Sequence, residues 1–204
     1  MKFRKWWIFT IPALALAFFA SACTSKPFLK VQYQLASPSS TLEEKKVALA
    51  VSDIRGKEAV LTENARKSLK NFNGTFSLVV LREDGSGNLI GVYDLVSLFT
   101  EVIQQRLKNE GIQAAAVADN ALPELKIEIT EFQLDFTDRK WIASMGYRAS
   151  LLNNGSLLSK ESVSGEAERL KVMGKSGAEK ILSELLTDTV NKLNLARLFE
   201  QARQ

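Results

Sequence analysis

The sequence predicts an α+β fold: an antiparallel or mixed β-sheet with two main amphipathic helices packed on one face, as a two-layer sandwich. Three observations predict it. Apolar residues alternate with polar ones near residue 30 and again between residues 125 and 167, two stretches around 94–109 and 176–193 carry apolar residues at helical spacing, and the later strand segments follow one another without a helix between them. Strands, a helix, a β-meander and a C-terminal helix are therefore expected in that order.

The first strand rests on Leu29, Val31, Tyr33 and Leu35, which alternate with polar residues until Ala36-Ser37-Pro38-Ser39-Ser40 interrupts. Val47 to Val51 is apolar at every position, the pattern of a strand covered on both faces, and Ser52-Asp53-Ile54-Arg55-Gly56 ends it. From Lys57 to Gly91 the pattern is weak. Thr62 to Leu69 has the composition of a short helical turn, Phe76 to Leu81 is rich in β-formers but lacks a period, and Asp84-Gly85-Ser86-Gly87-Asn88 reads as a turn, so this part is expected to be an excursion from the sheet. Asp94 then stands as an N-cap, Leu95, Leu98, Phe99, Val102 and Leu107 form an apolar stripe, and Gly111 supplies the stop, which predicts a helix over 94–109.

Ile112 to Val117 is expected to return as a short strand and to end in a turn at Asp119-Asn120. In the next strand Leu125, Ile127 and Ile129 share one face, but Phe132, Leu134 and Phe136 are out of phase with them, so a β-bulge between Thr130 and Glu131 is required to keep all six on the core side. Trp141, Ala143, Met145, Tyr147, Ala149 and Leu151 alternate cleanly, and Asn153-Asn154-Gly155 signals a tight hairpin turn. The second arm, Leu157 to Ala167, is mostly polar, which suits a strand with one solvated face. Ser176 and Glu179 have capping-box spacing, Ile181, Leu182, Leu185, Leu186, Val190 and Leu193 make one apolar stripe, and Leu195, Leu198 and Phe199 continue it past Asn194.

Ahead of all this stand Lys2, Arg4 and Lys5, an apolar run from Trp6 to Phe19, and Ala20-Ser21-Ala22-Cys23. A basic head, an apolar stretch and small residues before a cleavage point make a secretory signal. The sole cysteine directly after the small residues resembles the lipobox of bacterial lipoproteins, which makes Cys23 the expected lipidation site, with cleavage between Ala22 and Cys23. A membrane-spanning helix competes with that reading, but the run from Trp6 to Ala22 is short for the ~20 residues a span needs and contains Thr10 and Pro12. An ordinary thiol after a conventional signal also competes, and it leaves a cysteine without an intramolecular partner in an oxidising compartment. The expected organisation is residues 1–22 as signal peptide, 23–28 as lipidated N-terminus and tether, and 29–204 as a single domain. Thr24 follows the cysteine where inner-membrane retention uses Asp, so the outer membrane, facing the periplasm, is the expected location.

Composition narrows the function. The chain has 204 residues and a formal charge of +4, but three of its 27 basic residues lie in the leader, which leaves 24 against 23 acidic ones. The basic residues are interspersed with acids and form no clustered patch in the sequence, so a nucleic-acid partner is not expected. Histidine is absent, which removes Ser-His-Asp and Cys-His catalysis and zinc sites built from His and Cys. No cofactor, no metal and no catalytic residue are expected.

Several local patterns resemble the YajG-like family of bacterial lipoproteins: Cys23 in its lipobox, Asp53-Ile54-Arg55 after a strand, the helix ending at Gly111-Ile112, the meander carrying Tyr147-Arg148-Ala149 and Asn154-Gly155, and the helix around Leu182 to Val190. The resemblance covers nearly the whole mature chain, and 66–91 departs from it. It implies an envelope lipoprotein of this fold and no particular reaction.

The expected function is that of a lipid-anchored, non-enzymatic envelope protein that binds a protein partner or assists a transport or assembly complex. A carrier holding an acyl chain between sheet and helices is the alternative, and a carboxylate-based cell-wall hydrolase a further one. The candidate partner surface is the polar arm at Ser159, Lys160, Glu161 and Ser162, whose edge is suited to β-strand addition. Asp53 and Arg55 are expected to pair structurally, Trp141 to cap the core, and Asn73-Gly74-Thr75 to be an accidental glycosylation sequon.

Overall fold

The computed structural model describes residues 27–37, 42, 45–56, 58–115, 122–171 and 175–201. The expected ends at Val117, Asp119-Asn120 and the last residues of the chain, like Ala22 and Cys23, lie outside them. The fold is α+β, and the described residues form eight strands in two sheets of mixed orientation.

The larger sheet runs in the order β5 (Gln113–Ala115), β2 (Lys46–Asp53), β6 (Glu124–Thr137), β7 (Lys140–Asn153), β8 (Ser156–Leu170). β2 is parallel to both neighbours, and β6 to β8 form the antiparallel meander. The register of β6 against β7 shifts between Ile129 and Glu131, where the change of hydrophobic phase predicts a bulge. As a result Leu125, Ile127, Ile129, Phe132 and Leu134 are all buried. The hairpin to β8 turns on Asn154 (φ 48°) and Gly155 (φ 77°), the left-handed pair that a two-residue turn requires. Asp138 and Arg139 make the preceding turn with φ of 47° and 62° and no glycine, which is why it is harder to read from the sequence.

A second, smaller sheet has the order β1 (Leu29–Gln34), β3 (Phe76–Leu81), β4 (Gly87–Tyr93). This corrects the expected excursion at 57–91: its β-rich run is the central strand of a sheet of its own. Phe76, Ser77 and Leu78 are buried in succession, so β3 has no alternation to read. α1 (Glu63–Ser68) leads into it, capped by the Thr62 hydroxyl, which accepts from Ala65 N. Asn73 accepts from both the backbone and the hydroxyl of Thr75, so the sequon is a local turn before β3.

Both long helices pack against the larger sheet, on the same face. α2 (Leu95–Asn109) begins at the expected cap, with Asp94 accepting from Ser97 N at 2.7 Å. It closes on Gly111 at φ 78°, where Ile112 N donates to Leu107 O and Gly111 N to Lys108 O, a left-handed stop that favours glycine. α3 (Ser176–Lys192) and the short α4 (Leu195–Gln201) finish the chain. The Phe99 ring meets Phe132 and Tyr147 edge-on at centroid distances of 6.1 and 6.0 Å, joining α2 to β6 and β7. Each such fully buried ring contributes about 2 to 3 kcal/mol by leaving water. Trp141 is also fully buried, against Phe136, and so belongs to the core.

Candidate partner-binding edge

Where a sheet ends, its outermost strand presents unpaired backbone groups, and the terminal strands β1 and β8 handle them differently. β1 is closed by a helix. Lys30 N donates to Glu179 Oε1 at 2.9 Å, Gln32 N to Ser183 Oγ at 2.9 Å and Gln34 N to Thr187 Oγ1 at 3.1 Å. Asn191 completes the row, donating through Nδ2 to Gln34 O and accepting from the Tyr33 hydroxyl. Residues 179, 183, 187 and 191 are four apart, so they form one polar stripe on α3 that meets every second residue of the strand. The capping-box spacing of Ser176 and Glu179 has this different purpose: the N-cap position falls on Lys175 without a side-chain cap, and Glu179 serves β1.

The same helix rests on the inner face of β8. A Cβ at Gly165 would come within 3.0 Å of Leu185 and 3.1 Å of Thr189, so glycine permits the close approach. Arg169 Nη2 reaches both carboxylate oxygens of Glu184 at 2.7 and 2.8 Å. The phenol of Tyr147 donates to Thr189 O at 3.0 Å. Burial, and then the neighbouring Tyr33 and Glu161, raise its pKa despite Arg106; burial chiefly raises that of Tyr33 as well, so both phenols stay protonated donors that hold α3.

The other side of β8 carries no strand among the described residues, and no backbone hydrogen bond leaves it there. The pairing with β7 shifts once, at Leu151/Leu152, and then runs unbroken from Ser159 to Leu170. A groove of about 530 Å³ is lined by Gly165 to Ala167 of β8, by Gln32, Gln34 and Leu81 of the smaller sheet, and by α3. Large apolar side chains are exposed at both ends of the strand, Leu157 at 54% and Leu170 at 66%. β4 is also terminal and exposes Leu89 and Val92, but it is seven residues long and its register breaks at Leu78/Val79, which makes it a poorer template.

The four residues proposed for this surface do not share one environment. Lys160 and Ser162 are exposed on the outer face, opposite Ser150 and Arg148 of β7. Ser159 is only 7% exposed and donates to Leu198 O of α4 at 2.7 Å, so it fastens the C-terminal helix and offers nothing to a partner. Glu161 is half-buried, with Oε2 lacking a hydrogen-bond partner. Period-two alternation explains the split, and the outer set continues at Ser164, Glu166 and Glu168.

Asp53 and Arg55 are brought together. Asp53 Oδ2 lies 2.7 Å from Arg55 Nη2, Oδ1 accepts from Nε at 2.9 Å, and Nη1 donates to Phe132 O at 2.7 Å, beside the bulge. The Arg55 side chain is 5% exposed. Its hydrogen bonds hold the Asp53 carboxyl below its ordinary 3.8, against a smaller opposing effect of burial. The pair thus locks the exit of β2 to β6. The space between the larger sheet and the helices, where the alternative reading expects an acyl chain, is filled by Phe99, Phe132, Tyr147 and Trp141.

No family model matches the chain, and no curated protein matches it in sequence. Its fold is similar to the crystal structure of a DUF330 protein from Xanthomonas campestris, at 14% identity and a TM-score of 0.52, over 86% of this chain and 97% of that one. A neuraminyllactose-binding hemagglutinin homolog from Helicobacter pylori overlays at 11% identity and a TM-score of 0.38, over 85% and 94%. Rare lipoprotein B from Shewanella oneidensis follows at 10% and 0.33, over 76% and 89%. Of these three overlays the first bears on the fold, which the chain shares with that DUF330 protein over most of both lengths.

Proposed function

We propose that this chain is a lipid-anchored bacterial envelope protein of the YajG-like type that catalyses no reaction and works by binding a protein partner along the outer edge of β8. The observation that carries the reading is the contrast at the sheet ends: α3 satisfies the edge of β1 residue by residue, while among the described residues no strand covers β8 from Ser159 to Leu170, and exposed leucines flank it. A partner strand added there gains main-chain hydrogen bonds and a bordering groove. The anchor rests on Lys2 to Lys5, the apolar run and Ala20 to Cys23, and Thr24 favours the outer membrane, facing the periplasm.

Photocrosslinking side chains at Ser162 and at Ser164, introduced one at a time into the full chain in cells, should capture the same envelope protein. The same group at Gln105 on α2 should capture far less. Equal capture from Gln105, or none from either β8 position, overturns the edge as the contact. Cys23→Ser should block cleavage and remove the acyl mass; normal processing of that variant, with no lipid on the wild type, overturns the anchor.

A further inference from the structure

The end of the fold nearest the tether carries a cleft of about 450 Å³ lined by Lys67, Lys70, Lys171 and Lys175 together with apolar side chains, among them Phe28 and Phe72. Among the described residues no acidic one lines it. Glu63 pairs with Lys67 at 2.8 Å, and Glu179 lies 3.5 Å from Lys175, so two of the four charges are partly balanced from outside. The two lysines on the C-terminal side are held in place: Lys171 Nζ stands 4.3 Å from the Phe136 ring centroid, and Lys175 Nζ donates to Phe28 O at 2.6 Å. Lys67 and Lys70, at the end of α1 and just beyond it, are exposed.

We propose that this cleft binds the phosphate headgroup of an anionic membrane phospholipid. The inference rests on the anchor at Cys23. Phe28 is five residues beyond Cys23, so a fully extended tether places the mouth of the cleft no more than about 18 Å from the lipidated residue. At that distance the cations face the headgroup layer, where basic side chains are attracted to anionic lipid. The mixed lining fits the same occupant, because ammonium groups bind the phosphodiester while Phe28 and Phe72 cover the apolar part that follows it. Headgroup binding gives the anchored domain a fixed tilt on the bilayer, a second constraint besides the anchor.

The test uses the lipidated full-length product purified in detergent, with native mass spectrometry in micelles doped with phosphatidylglycerol or phosphatidylcholine. Wild type should retain phosphatidylglycerol and not phosphatidylcholine, and Lys67→Gln/Lys70→Gln should bind it about thirtyfold more weakly while melting normally. Equal retention of the two lipids, or unchanged retention in the double variant, overturns the proposal. Inorganic phosphate competing at a concentration comparable to the lipid reassigns the cleft to free phosphate and overturns the lipid assignment. The acyl mass on Cys23 is read in the same spectra, so a failed anchor is seen separately from a failed cleft.

Discussion

The edges of β1 and β8 belong to one molecule and lie on either side of one helix, yet α3 seals the first and leaves the second open. On the β1 side it supplies oxygen acceptors at 179, 183 and 187, in step with the outward amides of Lys30, Gln32 and Gln34. On the β8 side it supplies packing atoms, Leu185 and Thr189 over Gly165, which cover the face and leave the edge alone. The difference teaches that edge protection here depends on what one helix presents in each direction. An edge that the fold has the means to close and does not close is a candidate for use by another chain.

The comparison breaks most visibly if the β1 cap is removed. Ser183→Ala with Thr187→Val keeps the volume of α3 nearly unchanged but leaves two partly buried amides, those of Gln32 and Gln34, without acceptors. An unsatisfied donor costs about 1 to 3 kcal/mol, so the double variant should lose about 3 kcal/mol. For a domain of this size that is a fall of roughly 6 to 12 °C in Tm. A Tm within a degree of wild type in a calorimetric scan would mean that water replaces the helix and that β1 is not sealed in any energetic sense.

The pairing at the exit of β2 sets the scale between the two edges. Arg55→Ala removes the tie between the end of β2 and Phe132 O and strands a partly buried carboxylate, for a loss of about 2 kcal/mol by thermal or urea denaturation. Asp53→Asn adds a pH signature. The folded state holds the Asp53 carboxyl below its ordinary 3.8, so its contribution is present above that value and is lost as pH falls through the lower folded value. The variant should therefore be less stable than wild type at neutral pH, and the gap should close below about pH 4. A gap that stays constant down to pH 2 would show that the charge is not what matters.

Much of this architecture is legible in the sequence where its cause is local. Asp94 and Gly111 bound α2 because cap and stop act within a turn of the residues they serve, Asn154-Gly155 fixes a hairpin by its own φ angles, and the phase change at Thr130-Glu131 forces a bulge. The smaller sheet is not legible, because β3 is buried without alternation and its parallel partner β1 is more than forty residues away. The cap on β1 is written in the chain as Glu179, Ser183, Thr187 and Asn191, yet a polar residue every fourth position in a helix also describes an ordinary solvated face. The β8 arm is legible as a polar strand of the right length, whereas the division of Ser159 from Ser162 needed the position of α4.

The smallest expected effect on stability is the one that bears most directly on the open edge. Ser162 and Ser164 are exposed on β8, opposite Arg148 and Gly146 of β7, and among the described residues neither side chain makes a hydrogen bond. Replacing both by Lys leaves the core untouched, so the change in stability should stay within about 0.5 kcal/mol. Lysine on an edge strand is nonetheless a common natural deterrent to strand addition, because an incoming strand must desolvate or displace the charge. The double variant should thus fold, melt and process like wild type in cells while a photocrosslinker at Glu166, farther along the same outer face, loses its partner. If capture from Glu166 persists undiminished while the edge carries two added charges, the partner does not pair with β8, and the asymmetry between the two edges reflects only how α3 happens to pack.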